Sequence, residues 1–118
     1  METLTVILTG PPYGDEKTWN ALRLAGALAS TAREVKLNIF LLGDAVSTAK
    51  KGQKPPQGYY NLESMLEGLI ERKANVLACG TCLKARGLEQ SELIEGVQVG
   101  TMIQLANWVI ESQKVLQF

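Results

Sequence analysis

The chain has 118 residues, 46% hydrophobic and 20% charged, a composition that suits one packed globular domain over residues 1–118 and excludes a disordered chain. Lys+Arg and Asp+Glu both number 12, so the net charge is zero and neither direct nucleic-acid binding nor a polybasic membrane patch is expected. Histidine is absent, which removes the commonest general acid/base and the commonest metal ligand together and leaves two cysteines, Cys79 and Cys82, as the strongly reactive side chains.

Thr3 to Thr9 is a β-branched, leucine-rich run that reads as a strand and stops at the breaker cluster Gly10-Pro11-Pro12-Tyr13-Gly14. From Lys17 to Arg33 the polar residues Lys17, Asn20, Arg23, Ser30 and Glu34 recur at helical steps, with alanine and leucine between them. Val35 to Leu42 is a second strand, ended by Gly43-Asp44, so the first three elements form a βαβ unit whose crossover implies parallel strands of right-handed topology. A short helical piece over Ala45 to Lys50 leads into Lys51 to Gly58, whose lysines, prolines and glycines predict an exposed excursion.

After Asn61, the residues Leu62, Met65, Leu66, Leu69 and Ile70 fall at i, i+3, i+4, i+7 and i+8, the cleanest amphipathic helix in the chain. Glu63, Glu67 and Glu71 are expected on its solvated face. Asn75 to Ala78 is a third strand that runs directly into the cysteine pair; short helices follow over Thr81 to Ala85 and near Ser91. Val97 to Val99 predicts a fourth strand and Val115 to Phe118 a fifth. Between them Met102, Leu105, Ala106, Val109 and Ile110 repeat the same apolar stripe, expected to face the core. Trp108 lies opposite with Thr101, Gln104 and Glu111, where a large aromatic either covers its own subunit or enters a partner. Strands alternating with helices give an α/β fold, a three-layer α/β/α sandwich with a mainly parallel five-stranded sheet.

No basic residue precedes Lys17, so no secretory signal is expected. The longest charge-free run, Gly96 to Ile110, is fifteen residues with three amide side chains, whereas a membrane-spanning helix needs about 20 mostly apolar residues. A cytoplasmic location with no membrane partner is expected. In that compartment a close cysteine pair reads as redox, sulfur or metal chemistry.

A nucleotide site would lie at the turn after the first strand. The turn fails as a phosphate loop: Glu16, not glycine, precedes Lys17, Pro11 and Pro12 remove N–H donors, and Asp15 and Glu16 would sit against the phosphate. The acidic residues instead complement the start of the following helix.

The segment Ala78-Cys79-Gly80-Thr81-Cys82-Leu83-Lys84-Ala85-Arg86-Gly87 places Cys79 at the carboxyl end of the third strand, the edge of an open α/β sheet where ligands bind. The helical turn that follows, with Lys84 and Arg86, is expected to favour the thiolate, which is the nucleophile. Four readings of the pair stand side by side. Zinc needs four ligands, so two cysteines without histidine would make only a half-site shared between subunits, and no metal is expected. A thioredoxin-type exchange site suits C-x-x-C before a helix, but all four prolines (11, 12, 55, 56) precede Cys79 and none can face the pair from downstream. The third reading is sulfur carriage on Cys79 as a persulfide. The fourth is two small buried hydrophobes without chemistry.

The sequence resembles the DsrE/DsrF-like sulfur-relay family, in a branch with the C-G-T-C form, across almost its whole length. The matching stretches are the first strand and its Gly10–Gly14 turn, Ala21 to Ala25, Val35 to Val46, Cys79 to Gly87, and Asn107 to Phe118; the cysteine followed seven residues later by Arg86-Gly87 is the most specific. The resemblance implies a small α/β/α protein that assembles as a homotrimer or hexamer, works without a cofactor and exchanges sulfur with donor and acceptor proteins, in sulfur oxidation or tRNA thiolation. It implies that Cys79 accepts and donates persulfide sulfur. Cys82 is an extra thiol: within reach of Cys79 it could attack the persulfide, release sulfide and leave a disulfide, which would make the protein a redox module. Gly80, Thr81, Lys84 and Arg86 would support the site; Tyr13, Tyr59 and Tyr60 could line its mouth, while the commoner reading of Tyr59 and Tyr60 is that they anchor the proline-rich loop. A non-catalytic assembly subunit with incidental cysteines is the alternative from another class.

Overall fold

The computed structural model describes residues 1–118. Its five strands are β1 (Glu2–Leu8), β2 (Val35–Leu41), β3 (Asn75–Cys79), β4 (Val97–Gly100) and β5 (Lys114–Gln117). They pair in the order β4-β3-β2-β1-β5, every pair parallel, with β1 and β2 in register from Glu2↔Val35 to Leu8↔Leu41. Four α-helices connect them: α1 (Lys17–Ala29), α2 (Leu62–Glu71), α3 (Gly80–Ala85) and α4 (Met102–Glu111), with 3₁₀ turns at Gly43–Ala49 and Gln90–Glu92. Right-handed crossovers stepping from β1 to β4 put α1, α2 and α3 on one face of the sheet, and the return from β4 to β5 puts α4 on the other. The expected three-layer α/β/α sandwich is the fold.

The crowded face carries most of the core, which counts 25 buried apolar residues. Leu4, Val6 and Leu8 of β1 alternate onto it and meet Ala21, Leu22 and Ala25 of α1 and Leu62, Leu66 and Leu69 of α2. Asn61 caps α2, its side chain accepting the Ser64 N–H at 3.0 Å. Asp15 accepts the Lys17 N–H at 2.9 Å at the start of α1.

Several expectations change. α1 ends at Ala29, not Arg33, because Ser30 and Thr31 bond back to Gly26 O and Leu28 O and turn the chain early. The excursion over 51–58 is exposed but pinned: Glu63 accepts the N–H groups of Gly52 and Gln53 at 3.0 and 2.8 Å, so it is not a merely solvated residue like Glu67 and Glu71.

The larger correction is the rotation of α4. Of its apolar stripe only Leu105 is buried; Met102, Ala106, Val109 and Ile110 face outward. Trp108, expected opposite the core, packs into it, edge-on to Phe40 with ring centroids 6.1 Å apart. Two polar anchors accompany this rotation. Ser112, just past the helix, donates to Trp108 O at 2.6 Å and shares a 2.7 Å hydrogen bond with the buried Thr5 hydroxyl. Thr101 and Gln104 form a reciprocal capping box at the other end.

Candidate functional site

β3 carries Cys79 to the carboxyl edge of the sheet as its last residue, and α3 begins at the next position. Cys79 is therefore also the N-cap of α3, its sulfur accepting the Cys82 N–H at 3.4 Å. Gly80 makes the joint compact, since a Cβ there would lie 3.0 Å from Val99 Cγ1 at the end of β4.

One turn on, Cys82 faces the end of β2, where its sulfur accepts the Gly43 N–H at 3.2 Å. Gly43 adopts φ +57°, the left-handed region that glycine enters without strain. Arg86 closes the arrangement from below: Nη1 donates to Cys82 O at 3.0 Å and Nη2 to Asp44 Oδ1 at 2.8 Å. Both cysteines are free thiols; Cys79 is only 6% exposed and Cys82 is half-buried.

The two thiols open on one cleft of about 640 Å³, with apolar walls from Leu42, Val99 and Met102 and with Thr81, Thr101 and Lys84 alongside. That volume falls within the usual range of about 300–1,000 Å³ for small-ligand sites.

Burial pushes the Cys79 thiol above its ordinary pKa; a hydrogen bond with the Cys82 thiol and the charge of Cys82 push the same way, and the N–H groups of Cys82 and Thr81 offset them only in part. This reverses the expectation that the helix start, Lys84 and Arg86 would together favour a Cys79 thiolate. Desolvation outweighs two N–H donors, and the Arg86 guanidinium is engaged by Asp44 and a carbonyl.

Of the residues singled out from the sequence, Gly80, Thr81, Cys82 and Lys84 line the cleft with Cys79, while Arg86 braces it from behind. The tyrosines are not at its mouth. Tyr13 donates to Gln53 Oε1 at 2.6 Å and accepts the Leu62 N–H at 3.2 Å, tying the first turn to the start of α2. Tyr60 stacks on Trp19 at 4.7 Å, and Tyr59 and Tyr60 border a separate hollow with Gly14 and Gly58. Gly43 and Asp44 were missed as site residues. Their signal was a Gly-Asp breaker ending the neighbouring parallel strand, at the same carboxyl edge as Cys79. No three potential metal-ligating side chains converge in the structure.

The profile of the DsrE/DsrF-like family matches residues 2–118. Protein YchN of Escherichia coli is 42% identical over 118 residues, the whole of both chains. Its crystal structure aligns with a TM-score of 0.95 over 100% of each chain. An uncharacterized protein of Methanopyrus kandleri is 46% identical over 118 residues, covering 100% of this chain and 95% of that protein. At greater distance, the sulfurtransferase TusD of Buchnera aphidicola is 24% identical over 126 aligned residues, covering 97% of this chain and 98% of its own.

Proposed function

This chain belongs to the DsrE/DsrF-like family, and on that premise we propose that it is an intracellular sulfur carrier that accepts sulfane sulfur on Cys79 and passes it to a partner protein. The observation that carries the reading is the pair of free thiols opening on one cleft at the carboxyl end of β3. A distant relative named as a sulfurtransferase supports the same class of chemistry.

In the accepting step the Cys79 sulfur attacks the outer sulfur of a donor persulfide. A Cys79 S–S bond forms, the donor S–S bond breaks, and the donor leaves as a thiolate with the electron pair. The acceptor thiolate then repeats the attack on the sulfur held by Cys79. Burial of Cys79 suits a carrier, because a sheltered persulfide meets only thiols that fit the cleft.

One observation favours a second reading. Both free thiols line one cleft and the Cys79 sulfur accepts the Cys82 N–H at 3.4 Å, which brings Cys82 to the same opening as a persulfide on Cys79. Attack by Cys82 would release sulfide and leave a Cys79–Cys82 disulfide, a thiol-disulfide redox module.

Homo-oligomerisation as a trimer or hexamer belongs to the same proposal. Ile103, Val109 and Ile110 leave an exposed apolar strip on α4, of a kind that marks interaction surfaces, and a second copy of the chain is its occupant.

Incubating the reduced protein with a persulfide donor and weighing it intact tests carriage. The expected product is heavier by about 32 Da, one sulfur atom on a cysteine, and returns to its starting mass on reduction. A disulfide with release of sulfide supports the redox module instead, and an unchanged mass with thiols intact contradicts both.

A further inference from the structure

All five strands are parallel, so the edge of the sheet opposite the thiols gathers the strand starts and the carboxyl ends of α1 and α2. A hollow of about 480 Å³ lies at that amino edge, with apolar wall from Ala29, Val35 and Ala74. Four cations line it: Arg33 from the turn after α1, Lys36 from β2, and Arg72 and Lys73 from the end of α2. Glu34 is the one carboxylate among them. In a chain with 12 basic and 12 acidic residues, that is a strong local excess of positive charge. None of Lys36, Arg72 and Lys73 enters an ion pair. Arg33 is held by Glu2 at 3.0 Å and Arg72 donates to the Ser30 hydroxyl, which orients both guanidinium groups and leaves further N–H donors on each.

A second observation comes from the backbone. α3 closes with Gly87 N–H donating to Lys84 O at 3.1 Å and Leu88 N–H to Leu83 O at 3.0 Å, Gly87 adopting φ +67°. α2 closes in the same way: Lys73 N–H donates to Ile70 O and Ala74 N–H to Leu69 O, both at 3.0 Å, but here Lys73 takes φ +74°. That position favours glycine, because a Cβ in the left-handed region crowds the neighbouring carbonyl. Lys73 is the one residue other than glycine at positive φ in the chain. A strained lysine whose ammonium has no carboxylate partner points to a use for the side chain.

We propose that this hollow binds a small phosphate-bearing organic anion, with Lys36 and Lys73 as direct ligands and the Arg33 and Arg72 guanidinium groups as pre-oriented donors. Four cations against one carboxylate match an anion of two or more charges, and guanidinium donors suit phosphate oxygens. The apolar wall suits an organic portion, and the volume falls within the usual range of about 300–1,000 Å³ for small-ligand sites. The site owes nothing to the sulfur chemistry, since β3 runs from this edge to Cys79 at the other. Cations after α2 also complement the negative carboxyl end of that helix. This simpler role for Lys73 makes a different prediction.

The experiment titrates the full chain calorimetrically with inorganic pyrophosphate and with ADP, at about 0.15 M salt so that diffuse attraction is screened. Both are expected to bind with Kd below about 1 mM, ADP at least as tightly as pyrophosphate. Binding of neither overturns the proposal, and binding of pyrophosphate alone overturns its organic part. Lys73→Gly relieves the left-handed backbone, so it should raise the melting temperature of the free protein while weakening binding by at least about tenfold. Unchanged affinity overturns the proposal and leaves Lys73 serving only the carboxyl end of α2. Lys36→Gln, at an exposed strand position, should show a comparable loss. Lys51→Gln removes the same charge from the exposed excursion and should change affinity by no more than about twofold. An equal loss there would show attraction to overall charge and overturn the site.

Discussion

α2 and α4 carry the same apolar pattern in ten-residue helices, yet one buries its stripe and the other turns it outward. In α2, Leu62, Leu66 and Leu69 are buried and Met65 and Ile70 half-buried, because the helix lies against α1 and the most apolar face of the sheet. In α4, Leu105 is buried while Met102 is 58% and Ile110 81% exposed. The sheet beneath α4 differs. A polar row crosses it, Asn75 donating to Asn38 Oδ1 at 3.0 Å and Thr5 bonding Ser112, with Phe40 the large apolar side chain that receives Trp108. Ser112 and Trp108 find their partners there and set the helix rotation. Periodicity identifies which residues share a face; what the opposing layer offers decides which face goes in.

The largest effect should come from cutting the buried stripe. Leu66→Ala leaves a cavity in the crowded layer and is expected to lower stability by about 2–5 kcal/mol in urea unfolding. A cost below about 1 kcal/mol would mean that α2 is not the buried partner in this comparison. Trp108→Ala, on the opposite layer, should cost about 2 kcal/mol, less than a fully buried tryptophan because the side chain is only partly buried. If the indole lay on the surface, the same melt would barely move. The smallest effect is expected on the outward face of α4: Ile103→Ser with Ile110→Ser should change the unfolding free energy of the dissociated chain by no more than about 0.5 kcal/mol. Light scattering of the same variant should show loss of the proposed trimer or hexamer. Retention of the assembly would remove α4 from the proposed subunit contact.

The sheet was legible because short apolar runs end at strong breakers, and strand-helix alternation admits few right-handed topologies. The cysteine site was legible for the same reason: Cys79 ends a strand and Cys82 follows by one helical turn, so local sequence alone places both at the carboxyl edge. What local sequence did not carry was pairing across distance. Asp44 and Arg86 are 42 positions apart, and nothing near either residue announces their 2.8 Å contact. Glu63 looks like any member of a charged helix face until the excursion brings the N–H groups of Gly52 and Gln53 onto it. The tyrosines lie near the correct edge of the sheet, but the Trp19 and Tyr60 stack draws them toward the start of α1. The Cys79 thiol followed the same pattern: its charged neighbours were visible in the sequence, and its burial was not.

The central claim is that the two thiols differ in role, with Cys79 carrying the sulfur. The most direct measurement treats Cys79→Ser and Cys82→Ser with the same persulfide donor under conditions long enough for slow transfer to finish, and weighs both intact. Carriage on Cys79 predicts a gain of about 32 Da on Cys82→Ser and none on Cys79→Ser. A gain on Cys79→Ser alone would place the sulfur on Cys82 and contradict the account.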